Sequence, residues 1–159
     1  MKSNIRSAIK KDSVAILGLI QELALYEKEP KSAELTLSDI ENYGFGKVPL
    51  FECYVAEFDR KIVGMALFYS RFSTWKGPTF HLEDLIVSEP YKGKGFGTQL
   101  YSKFIRHAYN TGVKRLEWNV LDWNKLAISF YQKSGANVLR DWDTVQMDRS
   151  SMKAYLVNH

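Results

Sequence analysis

The run Tyr91-Lys92-Gly93-Lys94-Gly95-Phe96-Gly97 lies between an apolar stretch ending at Val87 and a helical stretch starting near Thr98, and it constrains the chain more than any other feature. Three glycines at alternate positions remove every second side chain. Successive backbone N–H groups can then turn toward one anion, and the helix that follows adds the positive end of its dipole. Lys92 and Lys94 supply countercharge. A plain turn between strand and helix rarely needs this spacing, because each glycine costs about 1 kcal/mol of backbone entropy relative to alanine. The run therefore reads as a phosphate cradle at a helix N-terminus.

Three known glycine signatures fit it poorly. A Walker-type loop needs Gly-Lys followed by Ser or Thr after a four-residue gap, which is missing. A dinucleotide fingerprint needs its second and third glycines three apart near the start of a parallel unit; here they are two apart and late in the chain. An RNA-recognition strand is the sharper competitor, since Lys94 to Tyr101 matches the opening and last position of that signature. Thr98 stands where a base-stacking aromatic belongs, however, and Gln99 where an apolar residue belongs, while the apolar spacing downstream is helical.

Residues 5–9 alternate as a strand does, and Asp12 or Ser13 can cap a helix carrying Ile16, Leu17, Ile20, Leu23 and Ala24 on one face. That helix must end before Pro30, with Tyr26 and Glu27 in its last turn; a second runs from about Thr36 toward Tyr43 and breaks at Gly44-Phe45-Gly46. Residues 52–58, 62–72 and 79–87 read as an antiparallel meander with short polar turns. Leu100, Tyr101, Phe104, Ile105 and Ala108 mark a helix stopping at Gly112, and residues 115–121 form another strand. Asn124 can cap a helix bearing Leu126, Ala127, Phe130 and Tyr131, closed by Gly135, and Val138 and residues 144–147 suggest final strands. The order predicts an α/β fold: a mixed, mostly antiparallel sheet of about six to seven strands flanked by about four helices. At 159 residues and 45% hydrophobic content, one domain over 1–159 is expected.

Composition narrows the function classes. The net charge of +4 is spread along the chain, which suits an anionic ligand better than nucleic acid, whose binders concentrate basic residues in a stripe. There is no basic-then-apolar signal pattern, and no apolar run approaches the ~18 residues that span a bilayer, so a cytoplasmic protein without membrane partners is expected. The single cysteine, Cys53, excludes an internal disulfide and a cysteine-based zinc site and reads as a small buried hydrophobe. His81 and His107 lack metal-ligand spacing and His159 is terminal, so no metal is expected.

Lys92-Gly93-Lys94-Gly95-Phe96-Gly97 resembles the acetyl-CoA pyrophosphate loop of the GNAT N-acetyltransferases, in which Arg or Gln, two residues, Gly, one residue, and Gly or Ala follow in order; Lys92 takes the first position. Within that superfamily the chain is similar to the spermidine/spermine and thialysine acetyltransferases over nearly its whole length. The resemblance runs through residues 23–28, Gly44-Phe45-Gly46, residues 73–77, Leu82-Glu83-Asp84, residues 120–124 and Phe130-Tyr131. It implies transfer of an acetyl group from acetyl-CoA to a primary amine of a small molecule by direct attack in a ternary complex. The acceptor would be a thialysine- or lysine-like amino acid, a diamine or a polyamine, and the enzyme a homodimer. A non-catalytic CoA-binding module on the same fold, or action on a protein or peptide amine, are the alternatives.

Acetyl transfer needs a deprotonated amine, a polarised thioester carbonyl and a protonated leaving thiolate. An alkyl amine titrates near ~10, so a carboxylate must remove a proton, directly or through water. Glu83, on the strand leading into the glycine run, is the candidate base by resemblance. Alternation sets Asp84 on the opposite face of that strand. The resemblance assigns Leu85, Ile86 and Val87 to main-chain cofactor contacts, residues Lys92 to Thr98 to the pyrophosphate, Asn124 to CoA, and Tyr131 to protonating the thiolate. Tyr26 and Glu27 correspond to binders of the amine's far end, and Glu117, Trp118 and Asn119 to a substrate-lining strand. Arg140-Asp141-Trp142 replaces a more acidic stretch of the polyamine enzymes. That departure, together with the basic net charge and the segments Trp75-Lys76-Gly77 and residues 121–124, leans toward the thialysine branch and an amino acid side-chain amine or short diamine.

Overall fold

The computed structural model describes residues 3–158; His159 lies outside them. The chain divides into two compact units, residues 1–119 and residues 120–159.

The first unit holds the whole sheet. β1 (Ser3–Ser7) leads through one 3₁₀ turn into α1 (Ser13–Tyr26) and α2 (Leu37–Phe45); β2 (Glu52–Phe58), β3 (Lys61–Ser73) and β4 (Gly77–Val87) follow, then α3 (Phe96–Thr111) and β5 (Leu116–Glu117). The strands lie in the order β1-β2-β3-β4-β5, antiparallel except for the parallel pair of β4 and β5. One face carries Cys53, Val55, Met65, Leu67 and Ile86 against Ile16 and Leu19 of α1 and Ile40 of α2. The other is aromatic: Phe68 lies 4.9 Å from Phe104 of α3 and 5.4 Å from Phe80, ring centre to ring centre. Cys53 is buried in the first of these layers, where desolvation pushes its thiol up and leaves it inert.

Local signals explain most boundaries. Thr36 caps α2 by accepting the Asp39 N–H at 3.2 Å, and α2 runs through Gly44 and Phe45 to end at Gly46, slightly beyond the break expected at Gly44. α3 stops at Gly112, whose φ of 82° suits a residue without Cβ. The expected side-chain cap on α1 is not formed. Asp12 instead accepts the Ile9 N–H at 2.9 Å and two Arg6 bonds at 2.7 and 3.0 Å, while Arg6 also reaches Glu57 at 2.7 Å. One buried carboxylate thus ties β1 to the helix that follows it.

The second unit contains α4 (Lys125–Lys133) and α5 (Arg149–Asn158). The final strands expected at Val138 and residues 144–147 do not form, so the described residues carry five strands and five α-helices in place of six to seven and four. Val145 alternates with polar neighbours as a strand residue does, yet it is 92% exposed. No strand in that unit offers a ladder, and a lone strand leaves its backbone groups unpaired. α5 carries a start signal that the hydrophobic pattern hides: Asp148 accepts the Ser151 N–H at 2.7 Å and the Ser150 hydroxyl at 2.8 Å.

Candidate active site

β4 organises the site. Phe68 pairs with Leu82 and Leu67 with Asp84, so Glu83 is an extra, unpaired residue. One inserted residue reverses the face taken by every later side chain. Phe80 and Leu82 therefore pack on the aromatic face, whereas Asp84 and Ile86 stand beside Leu67 and Met65 on the face covered by α1 and α2. This corrects the simple alternation that set Asp84 across the strand from Glu83. Both carboxylates line one cavity.

That cavity, about 440 Å³, lies within the first unit. Its apolar wall includes Ile20, Leu23, Ile40, Phe51 and Leu67, and its polar groups near β4 are Tyr69, Glu83, Asp84 and Glu27. Burial, followed by the charge of nearby Glu83, raises the Tyr69 phenol. Tyr69 stacks on His81 at 5.2 Å, and His81 Nε2 stands 3.6 Å from a Glu83 carboxylate oxygen. Asp84 is pushed up to about 7, first by burial and then by the charges of Glu83 and Glu27. Desolvation also raises Glu27. Such a lining can hold an ammonium group, pack methylenes against its wall and store a proton near neutral pH.

The outer edge of β4 is open along much of its length. Its pairing with β5 covers only Phe80↔Leu116 and His81↔Glu117, because the bulge that follows re-aims β4; the strand expected over residues 115–121 is cut to two residues. Leu85, Ile86 and Val87 keep their pairing with Ala66, Met65 and Gly64 of β3, and no strand of this unit pairs with their other edge. An antiparallel strand directs alternate N–H groups to each side, so that edge can meet a ligand chain.

The glycine run begins just beyond. Gly93 and Gly95 adopt φ of 76° and 84°, a region that favours glycine. Gly95 starts α3 without a side-chain cap, leaving the first-turn N–H groups of Phe96, Gly97 and Thr98 for an external acceptor. The Phe96 ring is buried 5.6 Å from Phe58, so it anchors the turn while its backbone faces the loop. Lys94 Nζ lies 5.1 Å over Tyr91; Lys92 Nζ bonds Glu89 at 2.5 Å and lies 4.7 Å over the Tyr26 ring. An uncapped helix start, two left-handed glycines and two lysines fit a diphosphate.

The remaining candidates are distributed unevenly. Tyr26 ends α1 beside Lys92 and does not line the cavity, whereas Glu27 does. The Glu117 carboxylate is held by Arg71 at 2.5 Å and by Arg115. Trp118 meets Tyr101 edge-on at 5.8 Å, and Asn119 is exposed. None of these three lines the cavity. In the second unit, Asn124 caps α4 by accepting the Ala127 N–H at 3.2 Å, and Tyr131 is buried with its ring 5.5 Å from Phe130. Sequence reasoning missed Tyr69 and the placement of Asp84. Both depend on a strand register that no local pattern reports, although the pair Glu83-Asp84 in an otherwise apolar strand was a visible irregularity.

The family described as the acetyltransferase (GNAT) family matches residues 17–136. The thialysine N-epsilon-acetyltransferase of Bos taurus is 35% identical over 160 residues, covering 94% of this chain and 94% of that protein. The spermidine/spermine N(1)-acetyltransferase-like protein 1 of Homo sapiens is 34% identical over 139 residues, covering 83% of this chain and 20% of that protein. Among solved structures, an integron cassette protein from the mobile metagenome of V. cholerae shares the fold with a TM-score of 0.79 at 24% identity, covering 98% of each chain. With a family match over most of its length and a relative similar from end to end, the chain belongs to the acetyltransferase (GNAT) family and is an acetyltransferase.

Proposed function

We propose that the protein transfers an acetyl group from acetyl-CoA to a primary amine of a small molecule, by direct attack while both reactants are bound. The observation that carries this reading is the β4 bulge. It sets Glu83 and Asp84 on a cavity suited to an ammonium group, while the same strand continues along an open edge into the glycine run. Family membership and a relative named for acetylating thialysine support the choice of an amine acceptor.

When bound, acetyl-CoA supplies the activated acyl group. Lys92, Lys94 and the backbone from Gly93 to Thr98 hold its diphosphate, with Asn124 a further contact, and main-chain N–H groups of Leu85 to Val87 polarise the thioester carbonyl. Glu83 accepts the proton that the incoming ammonium must lose, directly or through water, and Glu27 takes charge at the amine's far end. Tyr131 returns a proton to the departing sulfur, a role open to a phenol, which ordinarily titrates near ~10. By resemblance Glu117 to Asn119 and Tyr26 also belong to the acceptor side, outside the wall of this cavity. The working form is one catalytic domain over 1–159, a cytoplasmic homodimer that needs no metal.

Release of free CoA thiol on adding small amines to protein and acetyl-CoA tests the reading. Thiol release that tracks formation of an N-acetylated amine is expected. Tight acetyl-CoA binding without thiol release from any amine would instead identify a CoA-binding module.

A further inference from the structure

Glu83, the base of the proposed reaction, is held poorly by its own strand. It is the inserted residue of the β4 bulge, without a pairing partner on β3, and its side chain is 52% exposed. A carboxylate in that position rotates freely about its side-chain torsions, whereas proton removal needs one orientation toward the incoming amine. Two residues earlier the situation is reversed. His81 is paired on both edges, with Tyr69 of β3 and Glu117 of β5. Its ring stacks on Tyr69, with centres 5.2 Å apart and planes 28° from parallel, and its side chain is only 12% exposed. Backbone and ring are both fixed.

The surroundings of the ring decide where its hydrogen sits. Nδ1 is buried and has no hydrogen-bond partner among the described residues, so a hydrogen there would be a donor without an acceptor. Nε2 stands 3.6 Å from Oε2 of Glu83. The carboxylate on the other side, Glu117, is already held by Arg71 and Arg115. The neutral ring therefore carries its hydrogen on Nε2, directed at Glu83. At 3.6 Å the contact is longer than a formed hydrogen bond, and a small rotation of the exposed Glu83 side chain closes it. Catalytic contacts of this kind commonly tighten when reactants bind.

We propose that His81 is a positioning residue for acetyl transfer: its Nε2–H takes one oxygen of the Glu83 carboxylate and leaves the other for the proton of the acceptor ammonium. This rests on the reading of Glu83 as the base and deepens it. The ammonium nitrogen gives its proton to the open Glu83 oxygen, and the hydrogen on His81 stays where it was. Tyr69, which lines the cavity beside Glu83, is the platform against which the ring is stacked. The ladder thus returns, through a rigid side chain, the support that the bulge removes from Glu83.

Three substitutions separate positioning from packing. His81→Phe keeps a ring for Tyr69 and removes both nitrogens, His81→Gln places an amide N–H near the position of Nε2, and Glu83→Gln removes the group to be oriented. With the best amine acceptor, His81→Phe should lower kcat about tenfold while KM for acetyl-CoA stays within about twofold, and His81→Gln should recover most of the loss. Introduced into Glu83→Gln, His81→Phe should lower kcat by less than about twofold further, because a residue acting only through Glu83 then has nothing to orient. Nitrogen NMR with isotope-labelled histidine should place the His81 hydrogen on Nε2, with that resonance moved by Glu83→Gln; it needs no turnover. Unchanged kcat in His81→Phe, an equal loss in His81→Gln, or full additivity with Glu83→Gln overturns the positioning role while amine acetylation stands. If no amine is acetylated, the transferase reading fails and the spectra decide the contact. A hydrogen on Nε2 that responds to Glu83 then sustains it, and a hydrogen on Nδ1, or no response, refutes it.

Discussion

Asp84→Asn tests the electrostatics of the acceptor cavity through protein stability. Asp84 is raised from its ordinary 3.8 to about 7 by burial and by the charges of Glu83 and Glu27. In the unfolded chain it titrates at its ordinary value. Between about pH 4 and pH 7 the folded protein therefore holds a proton that the unfolded chain has released, and stability falls as pH rises through that window. A shift of this size corresponds to roughly 4 kcal/mol in full, and solvent reaching the half-buried carboxylate reduces it, giving an expected range of about 1 to 4 kcal/mol. Asparagine keeps the shape without the charge. The variant should match wild type near pH 4 and exceed it progressively up to pH 8, where a gain of 2 kcal/mol moves the urea midpoint by about 1 M. Urea titrations of both proteins at half-unit pH steps read this directly. Two curves that stay parallel from pH 4 to pH 8 would mean that Asp84 titrates normally and that the cavity is not the low-dielectric acidic site described above.

Glu83→Gln should lower kcat for the best amine about a hundredfold or more at neutral pH, with rate partly recovered at high pH where free amine is abundant; steady-state assays from pH 7 to 10 check this. Tyr131→Phe should lower kcat about a hundredfold while KM for acetyl-CoA changes little, and an unchanged kcat would remove Tyr131 from the mechanism. Gly95→Ala forces a side chain into the left-handed region at φ 84° and should cost about 1 kcal/mol while raising KM for acetyl-CoA, whereas Gly18→Ala, on α1 with open space around it, should stabilise by up to about 1 kcal/mol; melting curves separate the two. Asp12→Asn leaves Arg6 without its main partner and should destabilise by about 3 kcal/mol near pH 7. Burial pushes the Asp12 carboxyl up, but the Arg6 bonds and the Ile9 N–H outweigh this and hold it below its usual range, so that stabilisation should fade as pH falls below about 4.

Much of the fold was legible because its signals are local. Apolar spacing located α1, α3 and α4, turn residues separated β2, β3 and β4, and Thr36, Asn124 and Gly112 marked helix ends. The sequence misled where an element depends on a neighbour. Residues 144–147 alternate like a strand but have no ladder within their unit, and residues 115–121 keep only two paired positions because β4 turns away. The helix at Arg149–Asn158 escaped notice because its apolar residues, including Tyr155, Leu156 and Val157, stay largely exposed and show no buried stripe.

The candidate site divides in the same way. The glycine run needs only its own backbone angles and the helix it starts, so spacing alone suggested an anion cradle, and the surrounding motifs pointed to acetyl-CoA. The acceptor cavity needs residues from α1, the loop after it, α2, β3 and β4 to meet. By itself the sequence determined the family, the order of the elements as far as α4, the glycine spacing ahead of α3 and the presence of Glu83-Asp84 in a strand. Tertiary structure alone decided that a one-residue bulge puts both carboxylates on one cavity with Glu27, because side-chain direction beyond a bulge follows the pairing register, a relation between strands that neither strand encodes alone.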